Sequence, residues 1–385
     1  MSKYHIVRLG ELISPANVIK CGTNIYPVLS MTMHDGIVLQ SNRFKKSLAS
    51  LDTSEYKVVK EGQLVVGFPI DEGVLYIQHH SFEGIMSPAY DVYNVDYSRI
   101  TGVYLESALH SPQSMQYYAS KLRGTTARRR SIPKKDLFEL PIILPDLATQ
   151  KHITDIISYA NKLIEICKSI LEKTDTLVKS RFVEMFGDPI LNPKGWEMTT
   201  IGEIVTEVKY GTSRPAIDGG KYAYLRMNNL TYDGYLDLAD LKRIDIPDSE
   251  IEKCIVRKGD VLFNRTNSIE LVGKTCVFDK DEDMIIAGYI IRVRLKPVML
   301  PLIMSYFMNT DALKKKLRSM AKGAVNQANI NAQELKAIKI YLPPTDLQQQ
   351  FADFVAQTDK SKLAVKQILE KAETLKKSLM QEYFG

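Results

Sequence analysis

The chain has 385 residues, of which 45% are hydrophobic and 25% are charged, and its formal net charge is +6. Its four scattered cysteines include no Cys-x-x-Cys pair, which argues against a structural zinc site or a disulfide framework and favours a reducing compartment. We find neither a signal-peptide pattern nor an apolar stretch of membrane-spanning length, and therefore expect a cytoplasmic protein of two or three domains.

Residues 1–143 are predicted to form a first globular domain of mixed α and β structure. They are rich in Gly, Tyr, Val, Ile and turn residues, which is typical of many short strands. The domain opens with "YHIVRLGELI" and later contains "KEGQLVVG", a strand that follows a basic turn.

Residues 144–187 are predicted to form a long helix that begins just after Pro145. Apolar side chains recur at spacings of four and three residues, starting with Ile153, Ile157, Ala160 and Ile164. A period of 3.5 residues sustained over several heptads indicates a helix that packs lengthwise against a partner helix. A helix of about 40 residues would be roughly 60 Å long at 1.5 Å per residue.

Residues 188–341 are predicted to form a second globular domain that opens as the first does, with "WEMTTIGEIV" and later "RKGDVLFN". The Pro- and Gly-rich segment "GDPILNPKG" would be the linker that leads into it.

Residues 342–385 repeat the long helix. The ending "ILEKAETLKKSLMQEYFG" matches "ILEKTDTLVKSRFVEMFG", which ends at Gly187, at an offset of 198 residues. The offset extends back to "SIPKKDLFELPIILP" and "NINAQELKAIKIYLP", so that it holds for nearly sixty residues without a gap. We infer a duplicated unit and predict an α+β fold: two mixed globular domains separated by two long antiparallel helices, with an internal pseudo-two-fold repeat.

Two similar but diverged domains on a rigid spacer suit a target with two half-sites at fixed separation. DNA offers such half-sites about one helical turn, ~34–36 Å, apart. Residues 120–135 carry seven basic side chains and no acidic one, and the equivalent part of the second domain is also basic. Such stretches are typical of phosphate contacts, although a solvated basic face is the alternative interpretation.

Polar and aromatic loops supply the candidate base contacts. In "FNRTNSIELVGKT", Arg265 could pair with guanine and Asn267 with adenine, although a polar β-turn would look the same. The candidate contacts of the first domain are Thr32, His34, Ser87, Tyr90, Arg123, Thr125, Arg128, Arg129 and Arg130. Those of the second domain are Tyr210, Thr212, Arg214, Arg226, Asn228, Arg265, Thr266, Asn267, Ser268, Lys322, Asn326, Gln327 and Asn329.

We find no catalytic constellation in the sequence. The segment around Arg265 lacks the first glycine of a phosphate-binding loop, because Ser268 stands there. The triplet "EVK" at Glu207 could be part of a nuclease motif, but such triplets are common by chance. His79 and His80 are adjacent on a predicted strand and would face opposite ways, so we do not expect a metal site there.

The chain resembles the specificity subunits of type I restriction–modification systems over its whole length. The resemblance rests on "LPPTDLQQQFADFV" and its weaker twin "LPDLATQKHITDII", on "MFGDPILNPKGWEMTTIGEI", on "GDVLFNRTNSIELVGK" and on "GIMSPAYDVY". The twin lacks the second proline and the acidic pair, which puts detail of one partner contact in question.

The resemblance implies a non-catalytic, bacterial or archaeal subunit whose two target-recognition domains each read half of a bipartite site in double-stranded DNA. It implies that the helices set the spacing, that two methyltransferase subunits bind, and that restriction subunits join through them. S-adenosylmethionine, ATP and Mg would be bound by those partners, with no cofactor in this chain. The candidate residues for partner binding on the helices are Ile156, Leu163, Ile170, Phe354 and Ile368.

Two other functions stay open at this point. A stand-alone DNA-binding regulator could have the same shape, and an enzyme could carry a nuclease or methyltransferase site that the sequence patterns do not reveal. The apolar side chains of Ile156, Leu163 and Ile170, which lie beside the main seam of the helix, could also pack against the chain's own domains instead of a partner.

Overall fold

The computed structural model describes residues 4–33, 35–43, 52–122, 130–324 and 327–385. The chain divides into two units, one of residues 1–168 with 366–385 and the other of residues 169–365. Six of the predicted contacts lie outside the described residues: His34, Arg123, Thr125, Arg128, Arg129 and Asn326. The predicted domain boundaries follow changes of composition and stay a prediction.

The first unit is built on a four-stranded antiparallel sheet, with three further strand pairs, β1 with β10, β3 with β4 and β5 with β8. Its described strands are β1 (His5–Arg8), β2 (Ile13–Pro15), β3 (Leu29–Thr32), β4 (Gly36–Leu39), β5 (Lys57–Val59), β6 (Leu64–Val66), β7 (Leu75–Ile77), β8 (Gly84–Met86), β9 (Asp91–Val95) and β10 (Pro141–Leu144). The order of the central sheet is β2-β9-β6-β7.

Short helices cover this sheet, and a long helix follows. They are α1 (Gln40–Arg43), α2 (Gly102–Leu109), α3 (Pro112–Lys121), α4 (Lys134–Phe138) and the long α5 (Leu147–Phe186). Thr101 and Ser111 begin α2 and α3, where each hydroxyl accepts a hydrogen bond from an amide of the first turn.

The second unit is built on a sheet of the same kind. Its described strands are β11 (Glu197–Thr200), β12 (Val205–Tyr210), β13 (Tyr222–Leu225), β14 (Lys242–Ile244), β15 (Ile255–Val256), β16 (Val261–Asn264), β17 (Thr266–Asn267), β18 (Thr275–Val277), β19 (Met284–Ile286), β20 (Ile290–Leu295), β21 (Lys322–Ala324), β22 (Gln327–Asn329) and β23 (Lys339–Leu342). The helices are α6 (Ile201–Ile204), α7 (Asp248–Cys254), α8 (Pro301–Met308), α9 (Asp311–Met320), α10 (Ala332–Lys336) and the long α11 (Thr345–Phe384).

The duplication is visible in both long helices and in both sheets. Helices α5 and α11 have 40 residues each, and their first and last residues both differ by 198, as do the bounds of β10 and β23. The central sheet of the second unit has the order β12-β20-β16-β18, in which each strand matches its counterpart in β2-β9-β6-β7. The predicted α+β fold with an internal repeat and two long helices is therefore confirmed.

Within each unit, a segment of α5 packs antiparallel against a segment of α11. In the first unit, Ile153 and Ile157 share a core with Phe384, whose ring lies 5.1 Å from that of Tyr104. In the second unit, the Phe182 and Phe351 rings lie 5.4 Å apart. Early residues of α5 thus meet late residues of α11 and the reverse, as the antiparallel prediction requires.

A buried glutamine at equivalent positions joins each helix to its own unit. Gln150 Oε1 accepts a hydrogen bond from the Thr101 amide at 2.8 Å, and its Nε2 donates to the carbonyls of Arg99 and Pro145. Gln348 repeats the pattern with the Leu300 amide at 2.9 Å and the carbonyls of Val298 and Pro343. Both glutamine side chains are fully buried, and the bonds to the carbonyls of Pro145 and Pro343 are buried with them, so these bonds satisfy backbone groups at the start of each helix.

Candidate nucleic-acid interface

A small three-stranded sheet in the second unit joins two polar segments that are about sixty residues apart in the chain. Strand β17 pairs with β22, which places Thr266 opposite Asn329 and Asn267 opposite Ala328. Strand β22 pairs in turn with β21. The predicted contacts around Arg265 and those between 322 and 329 therefore lie side by side, which the sequence patterns did not indicate.

Arg265 directly precedes the first strand of this sheet and contacts an aromatic ring. Its backbone is fixed on both sides, because its amide donates to the Tyr289 carbonyl and its carbonyl accepts from the Ile330 amide, each at 2.9 Å. Its guanidinium carbon lies 4.9 Å from the centre of the Tyr210 ring. The Tyr210 hydroxyl in turn accepts a hydrogen bond from the Ala332 amide at 2.8 Å.

Among the described residues, no carboxylate forms an ion pair with Arg265. Its Nε is buried and has no hydrogen-bond partner within the described part of the chain. A guanidinium without a carboxylate partner can bind guanine or phosphate through two hydrogen bonds. Arg265 Nη1 donates a long hydrogen bond to the Gly288 carbonyl at 3.5 Å.

The neighbours of Arg265 are engaged within the protein. Asn267 Nδ2 donates to Asn264 Oδ1 at 2.8 Å, and its Oδ1 accepts from the Ser268 amide at 2.9 Å. One N–H and one lone pair of the Asn267 amide stay free for a ligand. Thr266 is buried, and its hydroxyl donates to Asn329 Oδ1 at 3.3 Å, so that in this arrangement both side chains hold the small sheet together.

The loops that contain Arg214 and Arg226 also lie in the second unit, but both arginines are paired with carboxylates. Arg214 forms two hydrogen bonds with Glu250, at 2.6 and 3.1 Å, and this pairing lowers the pKa of Glu250. Arg226 binds Asp240 at 2.7 Å. A phosphate would have to displace these partners.

The remaining candidates of these loops divide by exposure. Asn228 is exposed. Thr212 is buried, and its hydroxyl accepts from the Arg214 amide at 3.2 Å, so it shapes the loop from inside. Lys322 and Gln327 lie on β21 and β22.

In the first unit the described candidates lie on turns. The Thr32 hydroxyl accepts from the Asp35 amide at 2.9 Å and so closes the turn between β3 and β4. Ser87 and Tyr90 are half-buried, and the Tyr90 ring packs edge-on against Phe68 at 5.4 Å between centroids.

The basic stretch suggested that Arg130 is free to contact phosphate, but in the structure it is paired with carboxylates. It forms ion pairs with Asp71 at 3.0 Å and with Glu72 at 2.9 Å, and its carbonyl accepts from the Ile70 amide. Arg130 therefore fastens the end of the basic stretch to the 3-10 turn at 70–72 in the structure described here.

The long helices expose apolar side chains beside their buried seam. Among the predicted partner contacts, Leu163, Ile170 and Ile368 are 42%, 42% and 46% exposed. Ile156 is half-buried, and Phe354 is half-buried against the core that surrounds Phe351. The structure adds exposed residues that the predicted set omitted: Tyr159, Ile166, Leu177, Leu363 and Leu375.

Most of these additions were detectable in the sequence. Tyr159, Leu163, Ile166, Ile170 and Leu177 follow spacings of four, three, four and seven residues, which place them on one face of α5. That face lies roughly 100° around the helix from the buried seam, as 3.6 residues per turn require. Helix α5 thus has a second apolar stripe that is exposed beside its buried seam.

The polar groups considered for catalysis have structural partners. Glu207 binds Lys209 at 2.6 Å and also the fully buried Arg292. Burial alone would raise the pKa of Glu207, but these cations lower it, so the carboxylate is ionised. His79 binds Glu106 at 3.0 Å, which raises the pKa of the imidazole.

Among the residues that the structure describes, no group of three or more His, Cys, Asp or Glu side chains could hold a metal ion. None of the helices in the same residues combines the length and the apolar character of a membrane span.

Comparisons with known proteins agree on one family. Residues 193–374 match the family described as the type I restriction modification DNA specificity domain. A Methanocaldococcus jannaschii protein described as the MjaX type I restriction enzyme specificity subunit is 28% identical over 200 residues, which are 50% of this chain and 46% of the relative. The EcoKI specificity subunit of Escherichia coli K12 is 24% identical over 270 residues, 65% of this chain and 57% of the relative. The matches thus span about half the length of these curated relatives.

Solved structures support the fold over nearly the whole chain. A chain in a structure of the type I R-M system aligns with 99% of this chain over 97% of its own length. The two are 17% identical, and the TM-score is 0.64. The type I restriction–modification S subunit of M. genitalium aligns with 100% of this chain over 96% of its own length. The two are 14% identical, and the TM-score is 0.55.

Proposed function

We propose that the chain is a DNA specificity subunit of a type I restriction–modification system and that it selects the DNA sequence on which such a system acts. Each globular domain reads one half of a bipartite site in double-stranded DNA. The two long helices set the spacing between the halves. The second domain reads its half-site through the small sheet that carries Arg265.

The observation that carries this proposal is the state of Arg265. An arginine that lies over the Tyr210 ring, beside the amide side chains of Asn267 and Asn329, offers the fork that pairs with guanine O6 and N7 in the major groove. Backbone bonds at 2.9 Å on both sides keep this fork in place before DNA arrives. Arg214 and Arg226 have carboxylate partners, so they serve better as phosphate contacts that form by exchange.

The exposed apolar side chains on the helices support the proposal of protein partners. Leu163, Ile170 and Ile368 face solvent on helices whose seam is already filled, and burying such residues against another protein is favourable. We assign this surface to two methyltransferase subunits, through which restriction subunits would join the complex. The complex would work in the cytoplasm, where the host DNA lies.

In this proposal the chain is a recognition subunit without catalytic chemistry of its own. Methyl transfer to adenine N6, with S-adenosylmethionine, and ATP- and Mg-dependent restriction belong to the partner subunits. The ionised Glu207 is consistent with this division, because a carboxylate whose pKa is lowered by Lys209 and Arg292 is a weak general base.

Methylation-sensitive sequencing of host DNA with and without the gene tests the function. Loss of N6-methyladenine at one split motif is the expected result, and it would also reveal the target sequence. An unchanged pattern together with failure to copurify a methyltransferase would contradict the proposal and favour a stand-alone DNA-binding regulator. Turnover by the purified chain with S-adenosylmethionine would contradict the assignment of methyl transfer to a partner subunit.

Substitution of Arg265 by Lys tests the reading site. Lysine keeps the charge but cannot form two parallel hydrogen bonds, so we expect relaxed preference at one position of one half-site and an unchanged second half-site. A loss of about 1–3 kcal/mol in discrimination is typical for one bidentate contact. Arg181→Lys, on the exposed side of α5, is the matched control. Unchanged base preference in the Arg265 variant would refute its role.

A further inference from the structure

Lys362 occupies a position in the helix seam that should be apolar. The buried residues Phe351 and Val355 of α11 begin a spacing of four and three residues that leads to Lys362 and then to Ala372. At the offset of 198 residues, the equivalent position in α5 is Ile164, which is buried and apolar. The two halves of the duplication therefore differ in the seam: the second half has a lysine where the first half has an isoleucine.

The Lys362 ammonium group contacts a carboxylate and a tyrosine, both in the second unit. Lys362 Nζ lies 2.6 Å from Asp175 Oδ1 of α5 and 3.2 Å from the Tyr235 hydroxyl. It also lies 4.8 Å from the centre of the Tyr235 ring. Burial alone would lower the pKa of Lys362, but the bonds to Asp175 and Tyr235 raise it, so the ammonium stays charged.

Tyr235 belongs to a tight turn of the recognition domain, residues 231–235, which we call the latch loop. The Thr231 amide donates to the Tyr235 carbonyl at 2.9 Å, and the Tyr235 amide donates to the Thr231 hydroxyl at 2.9 Å. Gly234 has a positive φ of 89°, and a Cβ there would lie 2.6 Å from Asn309 Nδ2. The loop is thus closed on itself and fits its site only with glycine at this position.

A second set of bonds fastens the same loop. Asp233 binds Lys179 of α5 at 2.6 Å. The ring of Tyr232 lies 3.4 Å from Lys314 Nζ, and its hydroxyl accepts from Arg318 at 2.7 Å. The latch loop therefore contacts α5, α11 and α9, while its own residues belong to the domain that we propose to read DNA.

We propose that Lys362, Asp175 and Tyr235 form a lock that fixes the angle of the second recognition domain on the helix pair of its unit, and thereby restricts the half-site spacing that the chain accepts. The inference rests on the proposed function and deepens it, because it names the residues that position one domain. These are positioning residues, and none of them needs to contact DNA.

The chemistry favours such a role over a purely stabilising one. A buried ion pair is a weak source of net stability, because the cost of removing both charges from water offsets their attraction. A single buried polar residue in a helix seam is well suited to fix one register and exclude others. The hydrogen bonds of Lys362 have one geometry, whereas the apolar contacts of an isoleucine tolerate sliding and rotation.

A competition assay on the purified complex tests the lock. The substrates are duplexes that carry both half-sites of the wild-type motif, separated by the wild-type spacer or by one base pair more or less, and the readout is relative methylation. We expect Lys362→Ile, which copies Ile164, and Tyr235→Phe each to weaken the discrimination between spacers about tenfold, with base preference unchanged. Lys360→Ile, at an exposed site on the same helix, is the control that should keep full discrimination.

Hydrogen exchange of the purified chain tests, without DNA, whether Lys362 holds the latch loop in place. Faster exchange of amides in the latch loop is expected for Lys362→Ile and not for Lys360→Ile. Unchanged exchange there, or unchanged spacer discrimination in a folded variant, would overturn the lock. If the wild-type complex selects no split motif at all, the proposed function fails, and the exchange result still decides whether the lock holds the loop.

Discussion

The buried Gln348 offers a quantitative test of how the helix is joined to the second unit. We consider Gln348→Met, which keeps nearly the same shape and removes all hydrogen bonding. The variant leaves the Leu300 amide and the carbonyls of Val298 and Pro343 without the partner that they have now. At about 1–3 kcal/mol for each buried polar group left unpaired, and with partial relaxation, we expect a loss of roughly 3–5 kcal/mol in the free energy of unfolding.

The single tryptophan makes the assay specific to one unit. Trp196 packs against the core of the second unit, and its Nε1 donates to the Phe186 carbonyl at 2.9 Å. Urea unfolding followed by tryptophan fluorescence should show a midpoint lowered by about 2 M, for a slope of roughly 2 kcal/mol per M. Gln350→Met, at an exposed site two residues along the helix, should leave the midpoint unchanged.

The repeat supplies a second control. Gln150→Met removes the equivalent bonds in the first unit and should spare the fluorescence transition, while it speeds hydrogen exchange around Thr101. A midpoint for Gln348→Met equal to that of Gln350→Met would refute the reasoning, because the three backbone groups would then be satisfied without the glutamine.

The remaining predictions concern a buried lysine and a docking residue. Burial lowers the pKa of Lys314 to about 8, so the unfolded chain binds more protons between pH 8 and 10.5, and stability rises with pH for this group. The stability gained by Lys314→Met over the wild type should therefore shrink by up to about 3 kcal/mol from pH 7 to pH 10.5 in denaturant unfolding, while exposed Lys315→Met shows no such trend. A gain that does not vary with pH would contradict the burial argument. For the helices, Ile368→Glu should reduce copurification of the methyltransferase at least tenfold, whereas exposed Lys366→Glu should not, and equal recovery would exclude this part of the surface.

The sequence predicts the helices and the duplication well, because both depend on local patterns. Seam spacing and the constant offset placed the first helix within 144–187, and it spans Leu147–Phe186. The same patterns do not reveal the pairing of β17 with β22, since two short polar strands about sixty residues apart carry no periodicity of their own. Tertiary packing decides whether such strands meet.

Charge pairing is the other property that the sequence does not reveal. Arg214 finds Glu250 at a separation of 36 residues, and Arg130 finds Asp71 and Glu72 across about sixty. In the sequence these arginines are as plausible as Arg265 for DNA contact, and only the fold distinguishes the arginine that has no carboxylate partner among the described ion pairs. The role of Lys362 is likewise not evident in the sequence, because a charged residue inside an apolar stripe looks like a break in the pattern.

The place of Phe384 in the core of the first unit has a consequence for synthesis of the chain. That core contains Ile153 and Phe384, which are 231 residues apart, so it cannot be completed until nearly the whole sequence has left the ribosome. At about 5–20 residues per second the first unit would wait roughly 10–50 s for its last helix. During that time the apolar face of α5 is exposed to chaperones and to other nascent chains, whereas the second unit, whose core closes within residues 178–355, can fold first.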